Sequence, residues 1–214
     1  MIRLYDYLPS GNGYKLRLLL SQLGMPFDLV EMDITKGETR TPDFLRKNPN
    51  GRIPLVELDN GEYLAESGAA LFYFADGTRF LPDDRWQRAQ VLQWMFFEQY
   101  SHEPYIAVAR AWLHLFGMDD ERQRQLPRKQ KLGYDALAVM ETHLATRPFF
   151  VTERYTIADI ALYAYTHVAH EGGFDLTRFP AVRTWLQRVR EQPNHVTIDQ
   201  RDFPKPAPKE RIGF

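Results

Sequence analysis

At the entry to a predicted strand stands Asn48-Pro49-Asn50-Gly51-Arg52-Ile53-Pro54-Leu55-Val56, and Glu66-Ser67 follows at the start of a predicted helix. A proline that opens a strand beside a ligand site is often cis. A cis bond would leave the backbone N–H and C=O of Ile53 able to pair with a bound peptide, as an added strand would. Taken alone, Ile53-Pro54 fits a trans proline at a sheet edge better.

Glu66 and Ser67 lie between a strand pattern and a helix pattern. The N-terminus of a helix has free N–H groups and a positive dipole, so it binds a carboxylate well. The Ser67 hydroxyl can join those amides, while the Glu66 carboxylate can meet an ammonium group. The pair therefore suits the α-amino acid end of a ligand, although Ser67 alone is better explained as a helix cap.

The sequence has no cysteine among its 214 residues. This excludes a disulfide framework, a thiolate zinc site and a thiol nucleophile borne by the protein. Any sulfur chemistry must use a sulfur atom that the ligand brings. The six histidines show no metal-ligand spacing such as H-E-x-x-H, so no metal site is expected.

The net charge of −1 gives no indication of binding to nucleic acid or to an anionic membrane surface. The longest apolar runs, such as Leu18-Leu19-Leu20, are too short to span a bilayer. The first residues lack the charged-then-apolar design of a secretion signal. A cytoplasmic location is therefore the expectation.

The first eighty residues mix short strand patterns with short helix patterns, in the order βαβ-α-ββα. Strands are predicted over residues 2–7, 27–33, 53–58 and 62–65, and helices over 14–23, from 41 and over 67–75. Residues 9–13 are predicted to form a loop, because they are rich in Gly, Pro, Ser and Asn.

From residue 85 the pattern is helical almost throughout. Helices are predicted over residues 86–116, 119–146, 156–169 and 180–192. Pro104 is expected to kink or break the first of these, and Pro127 is a possible break in the second. The Pro- and Lys-rich end from residue 203 is expected to be extended over the surface or mobile.

In their order and spacing, the proline, the acid-serine pair and the helix start resemble the glutathione-binding motif of the cytosolic glutathione S-transferase family. The resemblance extends to about residue 200. It implies an α/β thioredoxin-like N-terminal domain over residues 1–78 and an all-α helical C-terminal domain over 85–200. An extended tail over 201–214 completes the predicted organisation.

The resemblance also implies how glutathione is held. Pro54 is expected to be cis, the backbone of Ile53 to pair with the cysteinyl unit, and Glu66 and Ser67 to recognise the γ-glutamyl unit. Glutathione is then a co-substrate, and no metal is involved. The expected partners are a small electrophilic, disulfide or peroxide substrate and a second copy of the chain in a homodimer, with no nucleic acid and no membrane.

Catalysis in such a site needs a thiol that is ionised near neutral pH, whereas a free thiol has a pKa of about 8.5. Hydrogen bonds to the thiolate and the N-terminus of the first helix favour the charged form. Family classes place Tyr, Ser or Cys near this point, or, in some bacterial classes, a Thr and an Asn two residues apart. Ser10-Gly11-Asn12-Gly13-Tyr14-Lys15 is most similar to that last, theta/nu-like pattern, with Ser for Thr.

Ser10 is accordingly the first candidate for the activating group and Asn12 the second, with a cooperative pair as a further alternative. Tyr7 is a weaker candidate, because the usual catalytic tyrosine lies early on the first strand and this chain also has Tyr5 there. The competing interpretation of Ser10 and Asn12 is a solvated loop with ordinary turn preferences.

The glycine carboxylate of glutathione needs cations at the other end of the groove. The resemblance points to Lys36, Arg40 and Arg52, of which the two arginines are favoured because a guanidinium grips a carboxylate with two parallel bonds. Each is equally compatible with a plain surface charge. Tyr105 and Trp112, on the first long helical stretch, are the candidates for an electrophile pocket, although aromatic residues at helical spacing more often belong to a core.

Of three functions considered, the first is the one that we predict from the sequence, and the other two are alternatives. The first is a transferase that ionises the glutathione thiol and conjugates it to an electrophile. The second is a glutathione-dependent disulfide or peroxide reductase, which in a chain without cysteine needs two glutathione molecules. The third is a binding or scaffold module that keeps the fold without turnover.

Overall fold

The structure is a computed structural model that describes residues 1–151 and 153–203. They form two compact units. One comprises Met1–Phe74 together with the segment that begins at Val196, and the other comprises Ala75–His195. The predicted domain limits of 1–78 and 85–200 stay predictions.

The first unit contains a four-stranded mixed sheet with helices, in the predicted order βαβ-α-ββα. Its elements are β1 (Arg3–Asp6), α1 (Gly11–Gln22), β2 (Asp28–Glu31), α2 (Pro42–Lys47), β3 (Leu55–Glu57), β4 (Tyr63–Ala65) and α3 (Ser67–Ala75). Two short 3₁₀ turns, Ile34–Lys36 and Glu38–Arg40, precede α2. The thioredoxin-like fold class is therefore confirmed.

The strand order is β2-β1-β3-β4, with β1 and β2 parallel and the other two pairs antiparallel. Leu4 on β1 pairs with Leu29 on one side and Val56 on the other, and Leu4 and Val56 are fully buried. Two parallel strands need a crossover connection, which α1 supplies. Because α1 makes this crossover, it begins close to the end of β1, and residues 7–10 connect the two elements.

The start of α1 corrects the sequence prediction. The helix begins at Gly11 and not at Tyr14, so Asn12 and Gly13 lie in its first turn and not in a loop. Ser10 is the N-cap, and its side chain accepts a hydrogen bond from the Gly13 N–H. Glycine and asparagine are poor helix formers, which is why the sequence pattern indicated a loop. The cap and the packing of the buried helix override that preference.

The second unit is helical. It contains α4 (Arg85–Phe97), α5 (Glu103–Arg110), α6 (Asp120–Leu144), α7 (Ile157–Thr166) and α8 (Pro180–Arg190). Its core includes the fully buried Trp185, whose Nε1–H donates to Asp159 Oδ1 at 2.9 Å. Asp159 also accepts from the Thr156 N–H at 2.9 Å, which completes a capping box at the start of α7.

The two prolines behave differently. A π-helical turn, Glu98–His102, separates α4 from α5, and Pro104 lies in the first turn of α5. The helical hydrogen-bond pattern therefore changes just before Pro104, while the helical run continues through it, and a kink at Pro104 stays a prediction. The possible break at Pro127 is not found, because α6 continues through it.

The segment from Val196 packs on the first unit. The Tyr14 hydroxyl donates to the Val196 carbonyl at 2.8 Å, and Arg17 donates to the Ile198 carbonyl at 2.7 Å. The Phe27 and Phe203 rings lie 5.0 Å apart. Of the predicted tail over 201–214, residues 204–214 lie outside the part that the structure describes.

Candidate functional site

Two helices of the first unit begin close to one another. Asn12 lies in the first turn of α1, and Ser67 is the first residue of α3. The Ser67 hydroxyl donates to Asn12 Oδ1 at 3.4 Å, although the two residues are 55 positions apart in the sequence. The positive ends of two helix dipoles and two polar side chains are thereby brought together, which is an arrangement suited to an anion.

Ser10 lies beside this junction as the N-cap of α1. Its Oγ accepts from the Gly13 N–H at 3.4 Å, and its side chain is half-buried. A serine hydroxyl can accept one hydrogen bond and donate another at the same time. Capping the helix therefore leaves Ser10 the chemical capacity to donate to a ligand.

Lys15 was missed by the sequence analysis. It is only 1% exposed, and its Nζ donates to Asn12 Oδ1 at 2.8 Å. The available signal was its position three residues after Asn12, which places the two side chains on the same face of a helix. The apolar run that follows did not reveal that a lysine would be buried here.

A buried ion pair lies directly beneath the first turn of α1. Arg17 Nε donates to Asp6 Oδ2 at 2.9 Å, and both side chains are fully buried. Burial raises the pKa of Asp6 and lowers the pKa of Arg17, because each charged form has lost its hydration. Arg17 also donates to the Leu8 carbonyl at 2.6 Å. The pair therefore holds the chain that leads to Ser10.

Pro54 and Ile53 stand at the entry to β3. The Ile53-Pro54 peptide bond is cis, as the resemblance implied. Pro54 is buried and Ile53 half-buried, and Ile53 packs against the apolar cluster of Tyr5, Phe44 and Leu55. Pairing of β3 with β1 and β4 begins at Leu55. Ile53 consequently lies just outside the paired part of the sheet.

Glu66 has an unusual backbone for its residue type. It is an exposed non-glycine residue with φ 67°, in the left-handed region, and its carbonyl accepts from the Ala70 N–H at 3.0 Å. Non-glycine residues held in that region cost free energy and are concentrated at functional sites. Ser67, directly after it, is buried at the start of α3.

The three candidate cations are differently placed. Lys36 forms an ion pair with Asp33 at 2.9 Å. Arg40 donates to the Asn50 carbonyl at 3.0 Å, and all three residues are exposed. Lys36 and Arg40 are thus each restrained by a polar partner within the first unit.

The two tyrosines of the first strand region also differ. The Tyr5 hydroxyl donates to Glu57 Oε2 at 2.6 Å and accepts from Lys47 Nζ at 2.7 Å. That hydrogen bond to Tyr5 is the main cause of a raised pKa of Lys47. Tyr7 is half-buried just beyond the end of β1. The Tyr5 hydroxyl is thus held by hydrogen bonds to Glu57 and Lys47.

Tyr105 and Trp112, the candidates for an electrophile pocket, share a neighbour within the helical unit. The Lys129 ammonium lies 5.5 Å from the centre of the Tyr105 ring and 5.9 Å from that of Trp112. Tyr105 also lines a cavity of about 300 Å³ together with Gln125, Arg128, Lys129 and Leu132. The lining therefore combines one aromatic ring and two cations with an amide and an aliphatic side chain.

Residues 1–151 and 153–203 contain no group of three or more His, Asp or Glu side chains that could hold a metal ion. Within the same residues, no helix has the length and apolar character needed to cross a membrane.

Comparison with known families gives two matches. Residues 1–76 match the model of the glutathione S-transferase N-terminal domain, and residues 102–193 match that of the glutathione S-transferase C-terminal domain. Their order and extent correspond to the α/β and helical parts of the chain.

Individual relatives cover nearly the whole chain. The Disulfide-bond oxidoreductase YfcG of Escherichia coli is 32% identical over 200 residues, covering 90% of this chain and 92% of that protein. The crystal structure of a glutathione S-transferase from Pseudomonas fluorescens is 53% identical, with a TM-score of 0.90 over 92% of this chain and 98% of that chain. The glutathione transferase URE2P8 from Phanerochaete chrysosporium, solved with oxidized glutathione, is 25% identical, with a TM-score of 0.81 over 90% of each chain.

Proposed function

The chain belongs to the glutathione S-transferase family, and we propose that it binds glutathione in the first unit, stabilises the thiolate and conjugates it to an electrophile. The observation that carries this proposal is the junction of α1 and α3, where Ser67 Oγ lies 3.4 Å from Asn12 Oδ1. One helix start receives the carboxylate end of the ligand, and the other start receives its sulfur.

The α-amino acid end of glutathione is assigned to Glu66 and Ser67. Ser67 adds its hydroxyl to the free N–H groups of α3, which suits the γ-glutamyl carboxylate. Glu66 is exposed beside it and supplies an anion for the ammonium group. The left-handed backbone of Glu66 supports this assignment, since such a conformation is tolerated where function requires it.

The rest of the tripeptide extends along the edge of the sheet. We assign the cysteinyl backbone to Ile53, which lies just outside the paired part of β3. The glycine carboxylate is assigned to the basic side chains of Arg40, Arg52 and Lys36. Arg52 is the strongest of these, because Lys36 already pairs with Asp33 and Arg40 holds the Asn50 carbonyl.

Asn12 and Ser10 are the proposed hydrogen-bond donors to the thiolate. Each lies at the positive end of α1, where an anion is favoured by the dipole. A donor to the thiolate lowers the pKa of the thiol, because it stabilises only the charged form. The second substrate is assigned to the cavity beside Tyr105, with Trp112 sharing the Lys129 cation.

Calorimetry and ultraviolet absorbance test the proposal together. Titration with glutathione should release or absorb heat, and the thiolate absorbance at about 240 nm should appear well below the pH expected of a free thiol. Asn12→Ala and Ser10→Ala should each raise the thiol pKa in the complex, and the larger effect identifies the main donor. A flat calorimetric titration would contradict both enzymatic functions and favour the scaffold module.

A second candidate function is reduction of disulfides. It is favoured by the 32% identity to a protein named as a disulfide-bond oxidoreductase and by a similar transferase solved with oxidized glutathione. One glutathione thiolate attacks the substrate disulfide and releases a thiolate. A second glutathione then attacks the mixed disulfide, so that two molecules of glutathione become oxidized glutathione and the substrate gains two thiols. Turnover of a mixed-disulfide substrate with none of a nitroaryl halide would decide for this reaction.

A further inference from the structure

Lys15 is buried to an extent that is unusual for a lysine. Only 1% of it is exposed, although lysines are almost never fully buried unless they are paired. Its Nζ lies 2.8 Å from Asn12 Oδ1, one turn away on α1. The side chain therefore ends at a residue of the proposed glutathione site and not in solvent.

This contact fixes the orientation of the Asn12 amide. An ammonium group has donors and no acceptor, so the amide atom that faces it must be the oxygen. Ser67 Oγ is 3.4 Å from the same oxygen and also donates to it. Rotating the amide by half a turn would place its NH₂ donors against the ammonium donors of Lys15. The amide NH₂ group of Asn12 (Nδ2) consequently faces away from Lys15.

Ser67 cannot hold this orientation alone once a ligand is bound. Its hydroxyl carries one proton. When that proton is donated to a ligand carboxylate at the start of α3, it is no longer available to Asn12. Lys15 has three donors and does not face this competition. It is therefore the group that keeps Asn12 oriented in the complex.

We infer that Lys15 is a positioning residue, which directs the amide NH₂ group of Asn12 towards the glutathione sulfur. Lys15 maintains this orientation when Ser67 donates its proton to the γ-glutamyl carboxylate. This inference rests on the proposed function. Lys15 acts through Asn12 and does not itself contact the ligand.

Three substitutions of Lys15 separate a positioning role from a structural one. Lys15→Met removes every donor, Lys15→Gln offers Asn12 an acceptor as readily as a donor, and Lys15→Arg remains a pure donor. The measured quantity is the thiol pKa of bound glutathione, read from thiolate absorbance. We expect Lys15→Met and Lys15→Gln to raise this pKa by about one unit or more and Lys15→Arg to restore it.

A double-mutant cycle with Asn12→Ala completes the test. If Lys15 acts through Asn12, adding Lys15→Met to Asn12→Ala should raise the thiol pKa no further, and kcat/KM should fall about tenfold in either single variant but not a hundredfold in the double. Additive shifts would overturn the inference, as would an unchanged thiol pKa in Lys15→Met. Should Lys15→Met not fold, an unchanged thiol pKa in Lys15→Gln overturns it equally.

The same measurement distinguishes this inference from the proposed function. If the native chain leaves the thiol of glutathione titrating as in water, the proposed function fails and the inference fails with it. If the native chain lowers the thiol pKa and the Lys15 variants lower it equally, only the inference fails.

Discussion

Gly13 occupies a position where any side chain would clash with the neighbouring Asp6. A Cβ atom added at Gly13 would lie 1.6 Å from Asp6 Oδ1, within the buried pair that Asp6 forms with Arg17. Helix-breaking tendency normally disfavours glycine in a first turn. Here the close approach of α1 to the Asp6 carboxylate requires it.

Gly13→Ala should therefore lower the free energy of unfolding by about 3 kcal/mol or more, because the buried carboxylate must move. Gly24→Ala is the matched control. Gly24 has φ 65° but no heavy atom within 4 Å of an added Cβ, so its backbone strain should cost about 1 kcal/mol. Urea unfolding of the two variants measures the difference, and equal losses would show that the contact with Asp6 is unimportant.

The residues of the site differ in how far the sequence reveals them. Pro54, Glu66 and Ser67 are detectable because their spacing and their position at element boundaries depend on local sequence. Lys15 is not, since its burial and its contact with Asn12 result from the packing of α1 on the sheet. The Asp6–Arg17 ion pair could not be predicted for the same reason, because the residues around Asp6 do not indicate a partner about one and a half helical turns into α1.

Among the elements, α6 carries a defect within a continuous helix. Pro127 lies inside Asp120–Leu144 and has no N–H to donate to the Gln123 carbonyl. The helix survives because its second half buries a set of apolar and small residues, namely Gly133, Ala136, Leu137, Met140 and Leu144. Tertiary packing thus outweighs the local sequence signal for a break.

Replacing this proline should stabilise the protein. Pro127→Ala restores the missing backbone donor and is expected to raise the free energy of unfolding by about 1 to 3 kcal/mol. Arg124→Ala, an exposed substitution on the same helix, should change it by less than about 0.5 kcal/mol. Denaturant unfolding measures both. A loss of stability in Pro127→Ala would mean that the ring itself makes a favourable contact.

The free energy of unfolding that Asp159 contributes at the N-terminus of α7 should depend on pH. Burial raises the pKa of Asp159 to about 6 from an ordinary 3.8. Between these values the folded state keeps a proton that the unfolded state releases, so the stability contributed by Asp159 falls as the pH rises. The loss is up to about 3 kcal/mol across the window from about pH 4 to about pH 6.

Asp159→Asn does not titrate, so it isolates this effect. Asparagine keeps one acceptor oxygen for the hydrogen bonds from Phe150 and Trp185, and we expect the variant to be less stable than the native chain because its amide group cannot accept from Thr156 as the second carboxylate oxygen does. We expect the stability difference between the two to be largest near pH 4 and to shrink towards pH 7, as measured by urea unfolding at each pH. A difference that is constant over this range would contradict the raised pKa.

Element boundaries show why helix type was easier to predict than helix start. The thirteen-residue α4 and the long α6 follow from apolar periodicity over several turns, and the Thr156–Asp159 box follows from a local pattern. The start of α1 depends on the Ser10 cap and on Gly13, where a side chain would clash with Asp6. The low helix propensity of Gly and Asn there opposes a helix, and the helix forms because of tertiary packing.

At the scale of the whole molecule, aromatic side chains on the helical unit are exposed. Phe96 on α4 is 68% exposed and Tyr100 on the following π-turn is 83% exposed. Exposed aromatic residues are enriched at protein interfaces. They agree with the homodimer that the family resemblance leads us to expect.

Sedimentation of the native chain should give twice the mass of one chain. Combining Phe96→Glu with Tyr100→Glu places two charges on this surface and should shift the protein towards monomer at micromolar concentration, because buried unpaired charge is costly. Tyr100→Phe keeps the apolar area and should remain dimeric. A dimer that survives both charges would place the interface elsewhere.

The attachment of Val196–Phe203 to the first unit has a consequence for the order of biosynthesis. Residues 1–74 leave the ribosome first, yet Tyr14 and Arg17 bond to carbonyls that lie beyond the whole helical unit. Nascent chains arrested at residue 195 should therefore remain more sensitive to protease within residues 1–74 than released full-length chains. We therefore expect the unit whose synthesis begins first to complete its folding only after Val196 and Ile198 have been made.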